Sequence, residues 1–459
     1  MTARIDEYYI AKTLNLAKKA AGFTSPNPMV GSVIVKNGEV IGSGYHKKAG
    51  GPHAEIIALK MAGGSAKGAT LYVSLEPCSH FGKTPPCVES IKKYGISRVV
   101  AAMKDPNPRV SGSGFKYLEN NGIEVKYGIL EDRAKKLNEI FIKNINAYLP
   151  FITVKLAISI DGKVGFYRKN VKGDSKSNAR NNAPFYLSSE KSLRYTHNLR
   201  LMHDAIMVSA NTVISDNPRL NIRYCKDNNI AEKKFAKIII DSNLMTPAGS
   251  KLFKYRNDDD KIFIFTSFEY SKEKLKRKKL LEQKGAIIKE VLYNNSYEDR
   301  LKNYSTGSAE NNGFTIGSSC DVTQKKHYLD IAEIFKECAA YGITSIFVEP
   351  GPNLFAYLVS NRLYDKLIFN ITPYLVGNIN IIDNTAADFN NFIGNSISAF
   401  DLINFSNLNL NKFNNNLQPG NAVNDGLNDL YANKQLIKLK NLDIKKTGDD
   451  VFLIYYPES

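Results

Sequence analysis

Gly51-Pro52-His53-Ala54-Glu55, followed by Leu75-Glu76-Pro77-Cys78 and then by Cys87, is the stretch that decides how this chain is read. Neutral imidazole nitrogen and cysteine thiolate are ligands that Zn²⁺ prefers, and three protein ligands leave a fourth position open to water. Zinc in such a site lowers the pKa of water to about 7, which supplies a nucleophile at neutral pH. His53, Cys78 and Cys87 are therefore the expected ligands of one Zn²⁺ per chain. Glu55, two residues past the histidine, is the expected catalytic acid–base, a carboxylate that moves protons without binding the metal. Pro52 sets His53 at the start of a helix, so its ring and Glu55 both reach the space beyond the helix N-terminus. Pro77 and Cys78 close a strand and turn toward the next helix, whose unpaired N–H groups and positive dipole end favour a thiolate.

A His-x-Glu followed by Pro-Cys-x-x-Cys is the signature of zinc deaminases that act on nucleobases. Here eight residues, Ser79 to Pro86, separate the two cysteines. Around this core, residues 1–146 alternate helical and strand signals. Residues 1–21 form an amphipathic helix, 31–35 an apolar strand, Asn37-Gly38 a hairpin turn and 39–43 its return strand. Helical spacing at 53–61 and 87–94 alternates with strands at 69–74 and 98–103, which implies a sheet covered by helices. A boundary falls at 147–150. Residues 151–160 open a second strand-rich unit, with further strands at 205–209, 237–241, 262–266 and 345–349. The expected domains are 1–146 and 151–459. Four polar stretches near 169–184, 224–234, 294–324 and 379–434 read as surface insertions, because they bury too little apolar surface to offset their ordering entropy.

The 459 residues are 43% hydrophobic and 10% aromatic, enough for two real cores. No apolar run reaches the roughly 18 residues of a membrane span. The opening helix carries Asp6 and Glu7 and lacks a signal-peptide layout, so a cytoplasmic protein with no membrane partner is expected. Five cysteines without framework spacing fit a reducing compartment. The net charge of +17 is spread over both halves with no Arg-rich stripe. That balance suits phosphorylated substrates, and no nucleic-acid partner is expected.

Further motifs line up with the metal residues: Thr24-Ser25-Pro26-Asn27-Pro28-Met29-Val30-Gly31, Gly44-Tyr45-His46, Gly82-Lys83-Thr84-Pro85-Pro86-Cys87, Asp105-Pro106-Asn107-Pro108 and Gly112-Ser113-Gly114. Together they resemble the bifunctional riboflavin-biosynthesis family that joins a diaminohydroxyphosphoribosylaminopyrimidine deaminase to a 5-amino-6-(5-phosphoribosylamino)uracil reductase. The long gap between the cysteines belongs to that family. The resemblance implies a cytidine-deaminase-like three-layer α/β/α domain, followed by a dihydrofolate-reductase-like α/β domain with polar insertions. It also implies that Asn27, His46, Lys83, Asp105 and Asn107 hold the pyrimidine and its phosphoribosyl arm. His80 is expected near the metal as a structural residue and not as a ligand.

The second domain continues the resemblance through the run from Lys155 to Lys163, then Arg200, Thr212-Val213, the run from Asp216 to Arg223, Ile240-Asp241-Ser242 and the run from Phe347 to Leu354. No Gly-x-Gly-x-x-Gly follows a strand, so a Rossmann cofactor domain is not indicated. Arg200 and Arg223 can hold a phosphate bidentately, Asp216 and Glu349 can bond sugar hydroxyls, and the Gly351 turn can offer N–H groups to a cofactor phosphate. By resemblance, NADPH reduces the ribosyl group of the deaminated pyrimidine to ribityl. Ile158, Ser175, Tyr186, Thr212, Asp216, Ser242 and Gly351 then line the cofactor side, and Lys155, Arg200, Leu220, Arg223 and Glu349 the substrate side. The implied partners are small phosphoribosylated pyrimidines and a second copy of the chain, as a dimer through the reductase domain.

The chain departs from the family in three ways. It has no Trp, inserted residues separate Gly173-Asp174-Ser175-Lys176 from Tyr186, and Pro350 removes one N–H from the turn before Gly351. Two other readings therefore stand beside the bifunctional one: a deaminase with a catalytically silent reductase-like domain, and a zinc-containing nucleic-acid-binding module.

Overall fold

The computed structural model describes residues 2–80, 85–108, 110–164, 188–224, 233–255, 257, 259–293, 328–374 and 439–457. Lys83, Ser175 and Tyr186 lie outside these residues, as do the stretches expected at 169–184, 294–324 and 379–434.

The first half is built on a five-stranded sheet of β1 (Gly31–Lys36), β2 (Glu39–Tyr45), β3 (Thr70–Val73), β4 (Arg98–Ala101) and β5 (Glu124–Tyr127), in the order β2-β1-β3-β4-β5. β1 and β2 form the expected hairpin, with Asn37 and Gly38 both at positive φ, 52° and 83°, as a tight turn between right-twisted strands requires. β3, β4 and β5 run parallel, so their carboxyl ends share one edge of the sheet. Helices α1 (Thr2–Ala17), α2 (Ala54–Ala62), α3 (Cys87–Lys93), α4 (Ser113–Asn120), α5 (Glu131–Leu137) and α6 (Glu139–Ala147) complete this half. Its core includes Ile10, Leu14, Ile34, Leu59, Leu71, Ile91 and Leu118. Gly42 and Gly44 on β2 let α2 lie close. A Cβ at Gly42 would stand 2.3 Å from the Ala58 carbonyl oxygen, and one at Gly44 would stand 2.6 Å from Cβ of Ile57. That approach fixes where His53, the residue before α2, is delivered.

β6 (Phe151–Ser159) opens the second sheet, which continues with β7 (Ala205–Ser209), β8 (Ala236–Ile240), β9 (Ile262–Thr266), β10 (Ala286–Glu290), β11 (Ser345–Val348), β12 (Lys366–Thr372), β13 (Leu439–Thr447) and β14 (Asp450–Pro457). The order is β10-β9-β8-β7-β11-β6-β12-β14-β13. β6 to β12 are parallel, whereas β14 pairs antiparallel with β12 on one side and with β13 on the other. Runs such as Ile262-Phe263-Ile264-Phe265 are buried throughout, as parallel strands covered on both faces must be. The carboxyl ends of β6, β7, β8 and β11 gather at one edge, where ligands of open α/β sheets bind.

The expectation of a surface insertion at 224–234 needs correction at its end. Lys233 is buried, donates to the Gly22 carbonyl and lies 3.5 Å from Asp204. Asp204 in turn accepts from Thr344 N–H at 2.9 Å and from Ser25 Oγ at 2.8 Å. Lys233 thus belongs to the seam between the two halves. Among the described residues, no helix is long and apolar enough to cross a membrane.

Candidate active site

Three of the first half's elements converge on the metal-type residues. His53 precedes α2 with extended backbone and no capping bond, Cys87 is the first residue of α3, and Cys78 lies in the turn after β3. His53 Nδ1 is 3.2 Å from Cys87 Sγ and 3.6 Å from Cys78 Sγ, and the three ligand atoms lie within 4.8 Å of one another. Tetrahedral zinc with its usual bond lengths separates a nitrogen and a sulfur ligand by about 3.6 Å. The donor set and its spacing therefore fit zinc. His80 is exposed and is not part of the group.

The electrostatics suit the same end. Cys78 accepts the Cys87 backbone N–H at 3.3 Å. A hydrogen bond from the Cys87 thiol holds Cys78 at about 4, although burial opposes this. The same bond and burial push Cys87 up, so the pair carries one thiolate and one proton. Dication binding releases that proton. Glu55, in the first turn of α2, is 3% exposed, and its carboxyl is pushed up to about 7 by burial first and then by the charge on Cys78.

Of the expected substrate residues, Asn27, His46, Asp105 and Asn107 are among the described residues, and the His46 ring lies 5.6 Å from that of His53. His46 Nδ1 lies 3.1 Å from the Pro52 carbonyl oxygen, which only accepts, so Nδ1 carries the proton. Nε2 then accepts from Asn27 Nδ2 at 3.1 Å, and this orients the Asn27 amide. Burial lowers the His46 pKa and keeps the ring neutral. Asp105 and Asn107 sit in the turn after β4, with Asp105 Oδ1 accepting Asn107 N–H at 2.8 Å.

Glu76 holds this turn in place. It is 5% exposed and accepts three backbone N–H groups: Asp105 at 3.0 Å, Gly112 at 2.9 Å and Gly114 at 2.9 Å. It therefore ties the Asp105–Asn107 turn and the start of α4 to the strand that delivers Cys78. A carboxylate inside the otherwise apolar run before Pro77 was the signal available in the sequence. Asn138, also missed, exchanges two bonds with the Met29 backbone, at 2.8 and 3.1 Å, and braces the turn that carries Asn27.

In the second half, Glu349 stands just past β11 and takes both arms of the Arg200 guanidinium, Nε at 2.7 Å and the second nitrogen at 2.8 Å. The third nitrogen of Arg200 donates to the Asn221 carbonyl at 3.1 Å. The bidentate fork offered to a phosphate in the sequence reading is thus occupied by Glu349, and Arg200 instead orients that carboxylate. Burial alone would raise the Glu349 carboxyl, but Arg200 and Lys155 outweigh it and hold the group below its ordinary value. Lys155, half-buried on β6, is lowered by burial first, with Glu349 pulling the other way.

Helix α7 (Glu190–Leu201) presents Arg200, and the loop after α8 (Ala210–Asp216) presents Leu220 and Arg223. Arg223 donates to Asn221 Oδ1 at 2.6 Å, while its backbone N–H goes to His197 Nδ1 at 2.9 Å. Leu220 is buried at positive φ. On the cofactor side, Ile158 is buried in β6 and Asp216 is exposed at the end of α8. The Ser242 carbonyl accepts from Thr266 and Ser267, whose hydroxyls lie at 2.9 and 3.1 Å. Gly351 caps the helix Pro352–Ser360, and its Cβ position faces Thr212 Oγ1 at 3.8 Å and Ser209 Oγ at 4.0 Å. Pro352 takes the first helical position, so that turn lacks the N–H groups of both Pro350 and Pro352. Gly351, Thr212 and Ser209 thus lie on one polar edge.

The two folds and the two sites define a bifunctional enzyme, a zinc-dependent deaminase joined to a reductase. Two sequence profiles match: the cytidine and deoxycytidylate deaminase zinc-binding region over residues 3–103, and the RibD C-terminal domain over residues 150–388. The chain belongs to the RibD family, the zinc- and NADPH-using deaminase–reductases of riboflavin biosynthesis. It is 44% identical over 295 residues to the riboflavin biosynthesis protein RibD of Aquifex aeolicus, covering 64% of this chain and 78% of that one. Identity to the Buchnera aphidicola protein is 36% over 386 residues, covering 81% and 88%. The solved structure of Acinetobacter baumannii RibD superposes with a TM-score of 0.69 at 27% identity, covering 100% of both chains.

Proposed function

We propose that the first site hydrolyses the 2-amino group of 2,5-diamino-6-(5-phosphoribosylamino)pyrimidin-4(3H)-one, and that the second reduces the ribosyl group of the product to ribityl. The observation that carries this reading is the buried Glu55 beside the His53–Cys78–Cys87 cluster. Zinc held by those three residues would supply the Lewis acidity that makes water a nucleophile at neutral pH. Glu55 accepts the proton that water gives up and returns it to the departing amine, so water and an amino group become a ring carbonyl and ammonia. Asn27, oriented by His46, bonds the pyrimidine edge. Asp105 and Asn107 face the sugar, and Lys83 pairs with its phosphate.

In the second site, bound NADPH would supply the hydride that reduces C1′ of the opened sugar. Ile158, Ser175, Tyr186, Thr212, Asp216, Ser242 and Gly351 would hold the dinucleotide. Lys155, Leu220, Arg223 and the Arg200-oriented Glu349 hold the sugar chain. The domains divide at 147–150, from the end of α6 to the start of β6, and the chain works in the cytoplasm as a homodimer through its reductase half.

The test is a coupled assay of ammonia release and NADPH oxidation with Glu55→Gln. Loss of an acid–base group costs about 10²–10⁴ in rate. Ammonia release is expected to fall by that factor with zinc retained, while NADPH oxidation on supplied deaminated intermediate is unchanged. Ammonia release within about threefold of wild type would overturn the assignment of Glu55.

A further inference from the structure

We propose that His197 is a further substrate-binding residue of the reductase site, donating its Nε2–H to an oxygen of the phosphorylated sugar chain. The proposal rests on reading Arg200, Arg223 and Glu349 as the substrate pocket. His197 lies three residues before Arg200 on α7, which places the two side chains on one face of the helix. The ring is 3% exposed, with its edge against Tyr224 at 5.1 Å between centroids.

One hydrogen bond fixes its chemistry. Nδ1 accepts the backbone N–H of Arg223 at 2.9 Å, so Nδ1 presents a lone pair and the ring proton sits on Nε2. A second proton would set two donors head to head beside two guanidinium groups. Burial first, then Arg200 and Arg223, push the His197 pKa down to about 3, and only Glu349 pulls it up. The charged and titratable groups that face the ring are therefore Arg200 on its own helix, Arg223 and Tyr224 on the loop, and Glu349 past β11.

A buried histidine held for purely structural reasons satisfies both ring nitrogens, as His203 does with the Leu199 carbonyl at 2.7 Å and Thr153 Oγ1 at 2.8 Å. His197 differs. No described residue accepts from its Nε2, and that nitrogen is not among the buried polar atoms sealed without a partner. It is a fixed, neutral donor beside Arg223 and Glu349. A neutral N–H adds a directional bond to the sugar chain without adding to the repulsion between Arg200 and Arg223.

The test uses the full-length protein, with NADPH and the deaminated phosphoribosylaminopyrimidine as substrates. For His197→Leu, the KM for the pyrimidine is expected to rise about tenfold, one hydrogen bond's worth. The KM for NADPH and the rate of ammonia release stay at wild-type values. His197→Gln, whose amide can accept from Arg223 and donate to substrate, is expected to stay within about threefold. Because the ring does not titrate, the His197→Leu effect is the same at about pH 6 and about pH 8. A His197→Leu KM within about twofold of wild type, or a Gln variant as impaired as Leu, overturns the inference. Arg223→Leu separates the two claims. If it raises the pyrimidine KM while His197→Leu does not, only the role of His197 falls; if neither does, the pocket itself is misassigned.

Discussion

Replacing Glu76 by glutamine keeps the side chain's shape and turns one carboxylate oxygen into a donor, which makes it the sharpest probe of how the deaminase site is held. Oε2 accepts from Asp105 and Gly112, and Oε1 accepts from Gly114. The glutamine carbonyl can keep the first two bonds but loses their charge assistance, and its NH₂ then opposes the Gly114 N–H. Gly114 has nowhere to retreat, since even a Cβ there would stand 2.2 Å from the Pro77 carbonyl oxygen. Hydrogen bonds to a charged group contribute about 1.5–3 kcal/mol each and neutral ones about 1, so the expected loss is about 3–5 kcal/mol. That is a large part of a domain's usual margin of about 5–15 kcal/mol, and it corresponds to a fall of about 10 °C in the melting temperature of this half. The ligand residues are left in place, so zinc content is expected to hold. The loosened turn carries Asp105 and Asn107, so the KM for the pyrimidine should rise about tenfold, more than kcat falls. Calorimetry, metal analysis and steady-state ammonia release read the three quantities. A melting temperature within about 2 °C of wild type together with an unchanged KM would refute the view that Glu76 organises this turn.

Two shorter tests bear on other parts of the molecule. Cys87→Ser is expected to lose zinc and ammonia release together while NADPH oxidation continues; full metal content by elemental analysis would sink the ligand assignment. Asp6 is 1% exposed and bonds Arg98 at 2.9 and 3.1 Å, Lys126 at 2.8 Å and Tyr72 at 3.1 Å. Burial alone would raise its carboxyl, but Arg98 and Lys126 outweigh it and leave the pKa at about 2. A depressed carboxyl stabilises the fold above its unfolded value and loses that contribution as pH falls toward its folded one. Asp6→Asn should therefore cost about 1–2 kcal/mol at pH 7, allowing for the solvent around Lys126, and the gap to wild type should close from about pH 4 to about pH 2. A gap that stays constant down to pH 3 in thermal melts would count against this.

What was legible in the sequence was what local chemistry dictates. The metal residues sit at element boundaries that Pro52, Pro77 and Pro86 mark, and the Asn37-Gly38 hairpin forms where its turn residues require. The strands at 205–209 and 262–266 were plain because a parallel strand buried on both faces is a continuous apolar run. β5 and β13 escaped notice for the opposite reason. Glu124–Tyr127 and Leu439–Thr447 are edge strands at the ends of their sheets, and their charged, half-exposed residues carry no such run. The Arg200–Glu349 pair is closed by topology. The two residues are 149 apart in sequence, and only the placement of β11 between β7 and β6 brings them together. Lys233 read as part of a polar insertion because nothing local says that a lysine will be buried against the other half of the chain.

That last contact shows why the two halves are more than tethered. Asp204 is a half-buried carboxylate and Lys233 a buried ammonium, and ions taken out of water cost several kcal/mol each unless they are closely paired and fully hydrogen-bonded. The reductase half supplies part of what is needed, through the mutual pairing of the two residues and the N–H and hydroxyl of Thr344. The deaminase half supplies the rest, Ser25 Oγ to Asp204 and the Gly22 carbonyl to Lys233. Ser25 lies inside the tight turn closed by the bond from Asn27 N–H to the Thr24 carbonyl at 2.7 Å. Asn27 is gripped from the other side by His46, beside the metal-type residues. One four-residue turn is thus specified twice, by a half-buried charge in the second half and by a neutral histidine in the first. The orientation of the Asn27 amide depends on both.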